Sequence, residues 1–155
     1  MADIATRVLI LGSLPGDASL RQGQYYAHPQ NQFWRLMQAV TGRPLADASY
    51  DDRLAGLRSA GIGLWDVIRS AERVGSLDAN IRAHTPNALA EFVASLPALL
   101  AVGFNGAKAS QIGRKLLDTD GELALITLPS SSPAHAVGFE RKRVEWLRLK
   151  PFLLT

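Results

Sequence analysis

The chain contains no cysteine. That excludes disulfides, thiolate-bound zinc and cysteine-ligated iron–sulfur clusters. It has no uninterrupted apolar run approaching the roughly 20 residues that a membrane-spanning helix needs, so no membrane partner is expected. The N-terminus lacks a basic region followed by an apolar region and a small-residue cleavage site, which reads as an unprocessed, cytoplasmic protein. Neither a Gly-x-Gly-x-x-Gly fingerprint nor a Gly-Lys-Ser/Thr phosphate loop is present. No internal repeat, low-complexity segment or splitting linker interrupts the chain. No metal or cofactor is called for by any residue cluster.

What remains is ordinary in bulk. The 155 residues are 47% hydrophobic and 20% charged, as in a soluble globular protein with one core. The net charge of +3 and sequence pI of about 9.6 suit a polyanionic partner without demanding one.

Strand-like and helix-like stretches alternate. Residues 7–11 read as a buried strand. Residues 32–40 read as a helix, with Asn31 as its N-cap and Gly42 as its stop. A second helix over 51–59 ends at Gly61, and 62–67 forms a short strand. Residues 86–95 are helical and closed by Pro97; 99–104 is a strand, 106–117 a helix and 122–128 a strand. The last helix, 139–149, places Val144 and Leu147 on one face and leaves Arg141, Lys142 and Arg148 solvated. Residues 41–50 and 70–85 are loops. This alternation predicts an α/β protein whose parallel sheet is covered on both faces.

The chemistry-bearing residues follow strand ends. After the first strand comes Gly12-Ser13-Leu14-Pro15-Gly16, a turn whose glycines let backbone N–H groups approach a ligand. A tight strand-to-helix connection would look the same. Tyr25 and Tyr26 then offer flat surface ahead of Asn31-Gln32-Phe33-Trp34. Asn31 reads either as an N-cap before two core aromatics or as an amide that orients water. Phe33 reads either as core or as a stacking partner for a nucleobase. Asn105, before Gly106, has the bidentate edge that reads a base, and equally makes an Asn-Gly turn. Ser130, Ser131 and Ser132 offer hydroxyls and amides to phosphate, or form a polar loop. Lys108 sits one turn into a helix and reads as structural or phosphate-facing rather than as a nucleophile.

The order of these segments carries a resemblance. A strand followed by Gly-Ser-Leu-Pro-Gly, then Tyr-Tyr-Ala-His-Pro-Gln-Asn-Gln-Phe-Trp, then Phe-Asn-Gly, then Leu-Pro-Ser-Ser-Ser-Pro-Ala-His resembles the uracil-DNA glycosylase superfamily from about residue 7 to residue 150. Within it, the pattern is similar to the mismatch-specific uracil/thymine glycosylases and, more strongly, to the hypoxanthine-DNA (deoxyinosine) glycosylase branch. The resemblance implies one domain over 1–155. It implies a three-layer α/β/α fold with a central four-stranded parallel sheet.

Two positions depart from the uracil-active branches. Leu14 stands where those carry a water-positioning Asn or Asp, and Leu128 where several carry a base-stabilising His. The hypoxanthine branch relies on the Asn of its Asn-x-Phe-Trp stretch, which is Asn31 here. The resemblance thus implies Asn31 as catalytic residue and Gly12, Ser13, Tyr26, Phe33 and Asn105 around the base. Ser130, Ser131, Ser132 and His135 would lie on DNA, with His135 helping to fill the gap left by the flipped nucleotide.

The expected activity is a monofunctional glycosylase of base excision repair. It needs no cofactor, works as a monomer, and acts on double- or single-stranded DNA holding a deaminated base. No paired carboxylates stand at glycosidase spacing, so catalysis would rest on electrostatics. A uracil/thymine mismatch glycosylase is the nearest alternative. A GDSL-like ester hydrolase, with Ser19 and His135, and a catalytically inactive DNA-binding module are remoter ones.

Overall fold

Every residue of the first strand, β1 (Val8–Gly12), is buried. Val8 and Ile10 face one apolar cluster, while Leu9 and Leu11 face a second. A strand covered on both faces reads as a continuous apolar run rather than an alternation. A computed structural model describes residues 1–13, 17–67, 88–117 and 121–154. β1 pairs in parallel with β2 (Ile62–Asp66) on one side and β3 (Ala101–Asn105) on the other. Beyond β3 lies β4 (Ala124–Leu128), so the order is β2-β1-β3-β4 and the sheet has four parallel strands. Successive strands are added to opposite sides of β1, so the direction of winding reverses between β1 and β3. The carboxyl end of such a reversal is where open α/β sheets leave a crevice.

Helices cover both faces. Against Val8 and Ile10 pack α2 (Phe33–Thr41), α3 (Tyr50–Ser59) and the C-terminal helix. Against Leu9 and Leu11 pack α4 (Ala88–Ala94) and α5 (Ala107–Leu116). A Cβ on Gly113 of α5 would lie 2.5 Å from the Phe104 ring, so a glycine lets that helix sit close on the sheet. The α/β/α layering agrees with the architecture expected from sequence. The expected loop at 70–85 and the start of the expected 86–95 helix lie outside the described residues, as do Leu14, Pro15 and Gly16.

Local signals place the helix ends. Ser49 accepts from the Asp52 N–H at 3.2 Å and starts α3. Gly42, at φ 72°, stops α2 by donating to the Gln38 carbonyl. A short helix, α1 (Asp17–Gln22), follows the first turn, in keeping with a strand-to-helix connection there. The final helix is also shorter than expected: α6 (Phe139–Trp146) tightens into a 3₁₀ segment, Leu147–Phe152. Pro151 in that segment has no N–H with which to continue the α pattern.

The buried face of α6 corrects the sequence expectation. Lys142 is 1% exposed rather than solvated, and Val144 is 61% exposed rather than packed. Phe139, Lys142 and Trp146 recur at spacings of three and four, so they share one helical face, and Val144 lies off it. Lys142 can be buried because its ammonium donates to the Ser132 carbonyl at 3.1 Å.

Candidate active site

The strand ends converge on one cavity of about 760 Å³. Gly12 stands beside Asp66 in the β1–β2 register, and Asn105 ends β3. Ser13, residues 18–21 of α1, Tyr25, Tyr26, Asn31 and the loop of residues 130–133 complete the wall. The sheet therefore gathers Gly12, Ser13, Tyr26, Asn31, Asn105 and Ser130, Ser131 and Ser132 into a single site, although 119 residues separate the ends of that set.

Tyr26 carries the cavity's aromatic face. Its ring stacks on Phe33 with centroids 3.8 Å apart and planes 19° from parallel. Phe33 itself is 0% exposed and meets Trp34 and Trp146 edge-on, at 4.9 and 5.9 Å. Phe33, expected to stack on a base, thus lies behind Tyr26 as its core support. Tyr26 is also the only non-glycine with positive φ among the described residues, at 55°. That conformation is uncommon for a bulky side chain and persists where packing over-determines it. Burial raises the phenol pKa, while interaction with the Asn105 side chain opposes the rise and the Asp66 and Tyr25 charges add to it. The hydroxyl therefore stays protonated.

Asn31 lines the cavity but stands one residue ahead of its expected place as N-cap of α2, which is Gln32. Its Oδ1 accepts from the Phe33 N–H at 2.9 Å. Among the described residues, one carbonyl lone pair and both Nδ2 hydrogens have no partner. The bond to the first N–H of α2 holds the side chain in the cavity wall.

Asn105 holds the serine loop. Its Nδ2 donates to Ser131 Oγ and its Oδ1 accepts from the Ser131 N–H, both at 2.9 Å. Three further contacts pin the loop: Gln32 N–H to the Ser131 carbonyl at 3.0 Å, Trp146 Nε1 to the Pro129 carbonyl at 2.9 Å, and Lys142 to Ser132. Gly106, at φ 98°, allows Ser130 to approach, since a Cβ there would lie 3.2 Å from Ser130 Cβ. The loop amides are spent internally as well. Ser132 N–H donates to Ser130 Oγ, Ala134 N–H to Ser132 Oγ, and His135 N–H to the Ser132 carbonyl. Hydroxyl hydrogens, rather than these amides, are what the loop can offer a ligand. Ser131 is itself buried.

His135 is exposed and does not line the cavity. Ser19 lines it, but its Oγ accepts from the Ala27 N–H at 3.1 Å, and no His135 contact activates it. That removes the geometry an ester hydrolase would need. Lys108 is exposed on α5, away from the wall. Among the described residues no lysine lines the cavity, and no group of His, Asp and Glu forms a metal site. No described helix is long and apolar enough to cross a membrane.

Two site residues escaped the sequence reading. Asp66 was findable: it ends a recognised strand, in register with Gly12. Lys142 was not, because a lysine among Arg141 and Arg143 looks like any solvated cation.

With this geometry in place, the comparison with known proteins is decisive. The profile of the Uracil DNA glycosylase superfamily matches residues 1–152.

The chain belongs to the uracil-DNA glycosylase superfamily.

Two curated relatives, from Methanosarcina barkeri and Methanosarcina acetivorans, are named hypoxanthine DNA glycosylase. Each is 39% identical over 144 residues, covering 93% of this chain and 90% of the relative. A solution NMR structure of a Methanosarcina acetivorans protein, described as a candidate uracil DNA glycosylase, superposes with a TM-score of 0.75 and 38% identity. It covers 96% of this chain and 91% of its own. In this superfamily member the cavity lies at the carboxyl ends of the strands.

Proposed function

We propose that this superfamily member is a monofunctional DNA glycosylase of base excision repair, cleaving the bond between deoxyribose and a flipped, deaminated base, with hypoxanthine preferred. One observation carries the reading: a single cavity joins the Asn31 amide to the supported face of Tyr26 and to the pinned serine loop. The relatives named for hypoxanthine support the choice of base.

The residues divide the work as follows. Extruding a nucleotide costs a few kcal/mol, least for a damaged or mispaired base. The outer face of Tyr26 receives the base, with Phe33 behind it. Serine hydroxyls of the loop hold the flanking phosphates. The C1′–N bond then stretches toward an oxocarbenium-like sugar and a base anion. Asn105, held by Ser131 and meeting the Tyr26 hydroxyl, keeps that hydroxyl and its own amide dipole beside the departing base. Asn31, with its orientation set by the Phe33 N–H, aims water at C1′. Water adds to C1′, its proton passes to solvent or the base, and an abasic site remains. No lysine on the described wall offers a Schiff base, which supports simple hydrolysis.

We propose further that the chain acts as one domain and as a monomer, on duplex or single-stranded DNA, in the cytoplasm. The test is a single-turnover comparison on matched oligonucleotides holding deoxyinosine or deoxyuridine. Faster release of hypoxanthine is expected. A clear preference for uracil would move the protein to the uracil-active branches, and no excision of either base would overturn the glycosylase reading.

A further inference from the structure

A buried cation that the mechanism above does not use stands behind the serine loop. Lys142 is 1% exposed, and its ammonium donates to the Ser132 carbonyl at 3.1 Å. That carbonyl already accepts from the His135 N–H, also at 3.1 Å, so the lysine is not needed to satisfy it. Nor does a carboxylate balance the charge among the described residues: the ion pairs of α6 and its 3₁₀ extension join Arg143 to Glu140 and Arg148 to Glu145. The other two ammonium hydrogens have no partner among the described residues. Burying an ammonium without a counter-ion costs stability. The fold as such gains only a second donor to one carbonyl.

The loop is polarised in the same sense. Three of its carbonyls are taken by donors of the surrounding helices: Pro129 by the Trp146 indole, Ser131 by the Gln32 N–H and Ser132 by Lys142. Trp146 is buried like Lys142, so the Pro129 and Ser132 carbonyls turn their negative ends toward the core. On the cavity side, Ser130 Oγ accepts from the Ser132 N–H, and Ser132 Oγ from the Ala134 N–H. A hydroxyl whose oxygen accepts in this way keeps its own hydrogen to give, and the accepted bond polarises it. The cavity side of the loop thus offers donors, while two of its carbonyl acceptors are drawn inward and a positive charge backs it. That combination suits an anion.

We propose that Lys142 is the counter-charge of a phosphodiester subsite on the serine loop: a DNA backbone phosphate takes the Ser130 and Ser132 hydroxyl hydrogens, and the Lys142 ammonium behind them balances its charge. Lys142 is then a positioning residue, which touches neither base nor sugar and acts through the loop. A charge in the protein interior reaches across a peptide group because little water or salt stands between to screen it. The inference rests on the glycosylase reading for the identity of the ligand, and adds to it the charge that holds the DNA strand.

The test uses Lys142→Met, which keeps the apolar stem and removes charge and donor, and Lys142→Gln, which removes the charge and keeps a donor. Binding to undamaged and deoxyinosine-containing duplexes is measured by fluorescence anisotropy over a series of salt concentrations, with thermal melting on the same samples. Both variants should bind both duplexes about tenfold more weakly, and the slope of log affinity against log salt should shrink by about one phosphate contact. Single-turnover excision should need more enzyme for half-saturation and keep its maximal rate within about threefold. Lys142→Met should melt no lower than the wild type, as expected when an unbalanced buried charge gives way to an apolar side chain. A purely structural lysine predicts a lower melting temperature with an unchanged salt slope, and that result would overturn the proposal. A wild-type slope in Lys142→Gln would do the same, because only the hydrogen bond would then matter. If Lys142→Met does not fold, the slope of Lys142→Gln decides. A wild type whose DNA binding depends on Lys142 in this way but which excises neither deaminated base would overturn the glycosylase reading and leave the phosphate subsite standing.

Discussion

Asn105 and Ser131 grip each other through two hydrogen bonds of 2.9 Å, side chain to side chain and side chain to backbone, across 26 residues of sequence. The end of β3 is thereby fastened to the loop after β4, and both of the Asn105 polar atoms are partly committed before any ligand arrives. Removing that side chain should loosen the loop as well as weaken contact with the base. Asn105→Ala is expected to lower stability by about 1–3 kcal/mol, because it strands the buried Ser131 groups, and to reduce excision. Asn105→Asp keeps the acceptor for the Ser131 N–H and loses the donor, so it should recover part of the stability and little of the rate. Urea midpoints and single-turnover rates on the same samples check both. An unchanged midpoint in Asn105→Ala would mean that the loop is held without it.

Asn31→Ala should act on two quantities at once. Loss of an interaction made in the transition state slows chemistry by ~10²–10³-fold. Loss of the bond to the Phe33 N–H should cost ~1 kcal/mol, as for a typical intramolecular hydrogen bond. Asn31→Ser tests the separation, since a hydroxyl can still accept from the N–H two residues on. It should restore stability without restoring rate. Chemistry near the wild-type rate in either variant would remove Asn31 from the mechanism.

Phe33 and Tyr26 should behave differently. Phe33 is wholly buried, so Phe33→Ala is expected to cost ~3–5 kcal/mol of stability and to lose all DNA binding together. Tyr26→Ala exposes the space in front of Phe33 and should weaken damage-specific binding by about 1–3 kcal/mol. The salt-sensitive binding to undamaged duplex should stay intact. Fluorescence anisotropy with both DNAs at two salt concentrations distinguishes the cases. A stable Phe33→Ala protein that fails only on damaged DNA would reverse the assignment.

Lys142 gives a pH signature. Burial lowers its pKa from the ordinary 10.5. Between the lowered folded value and 10.5 the unfolded chain binds more protons, so this group makes stability rise with pH through that alkaline window. Lys142→Met should abolish that component while loosening the Ser132 end of the loop. Denaturant midpoints measured from neutral to pH ~10 compare the two proteins. Parallel curves would show that the lysine is not held buried.

His135 stands on the exposed side of the serine loop. If it plugs the gap left by a flipped nucleotide, His135→Ala should reduce excision from duplex DNA and spare single strands, which have no gap to fill. Equal loss on both substrates would point to folding or catalysis, and no loss would leave His135 a surface residue.

The sequence by itself determined the layering. Val8 to Leu11 form an unbroken apolar run because a parallel strand is buried on both faces, and helices bounded by Ser49, Gly42 and Gly61 follow from capping and left-handed glycine conformations that depend on immediate neighbours. It also placed Gly12, Asn31, Asn105 and the serines at strand and helix ends, which is enough to bring them to one side of the sheet. It left the extent of α1 open, because six residues carry too short a pattern to read. Only the tertiary structure decided which partner each side chain takes. Tyr26 rather than Phe33 faces the cavity because the turn before α2 folds the tyrosine over the phenylalanine. Asp66 joins the site because β2 pairs in register with β1. Asn105 finds Ser131, and Lys142 finds the Ser132 carbonyl, because strands and helices distant in sequence are pressed together there. Such choices are set by the geometry of packing and by the cost of leaving a buried polar group without a partner, and neither has a period or a spacing that a linear chain displays.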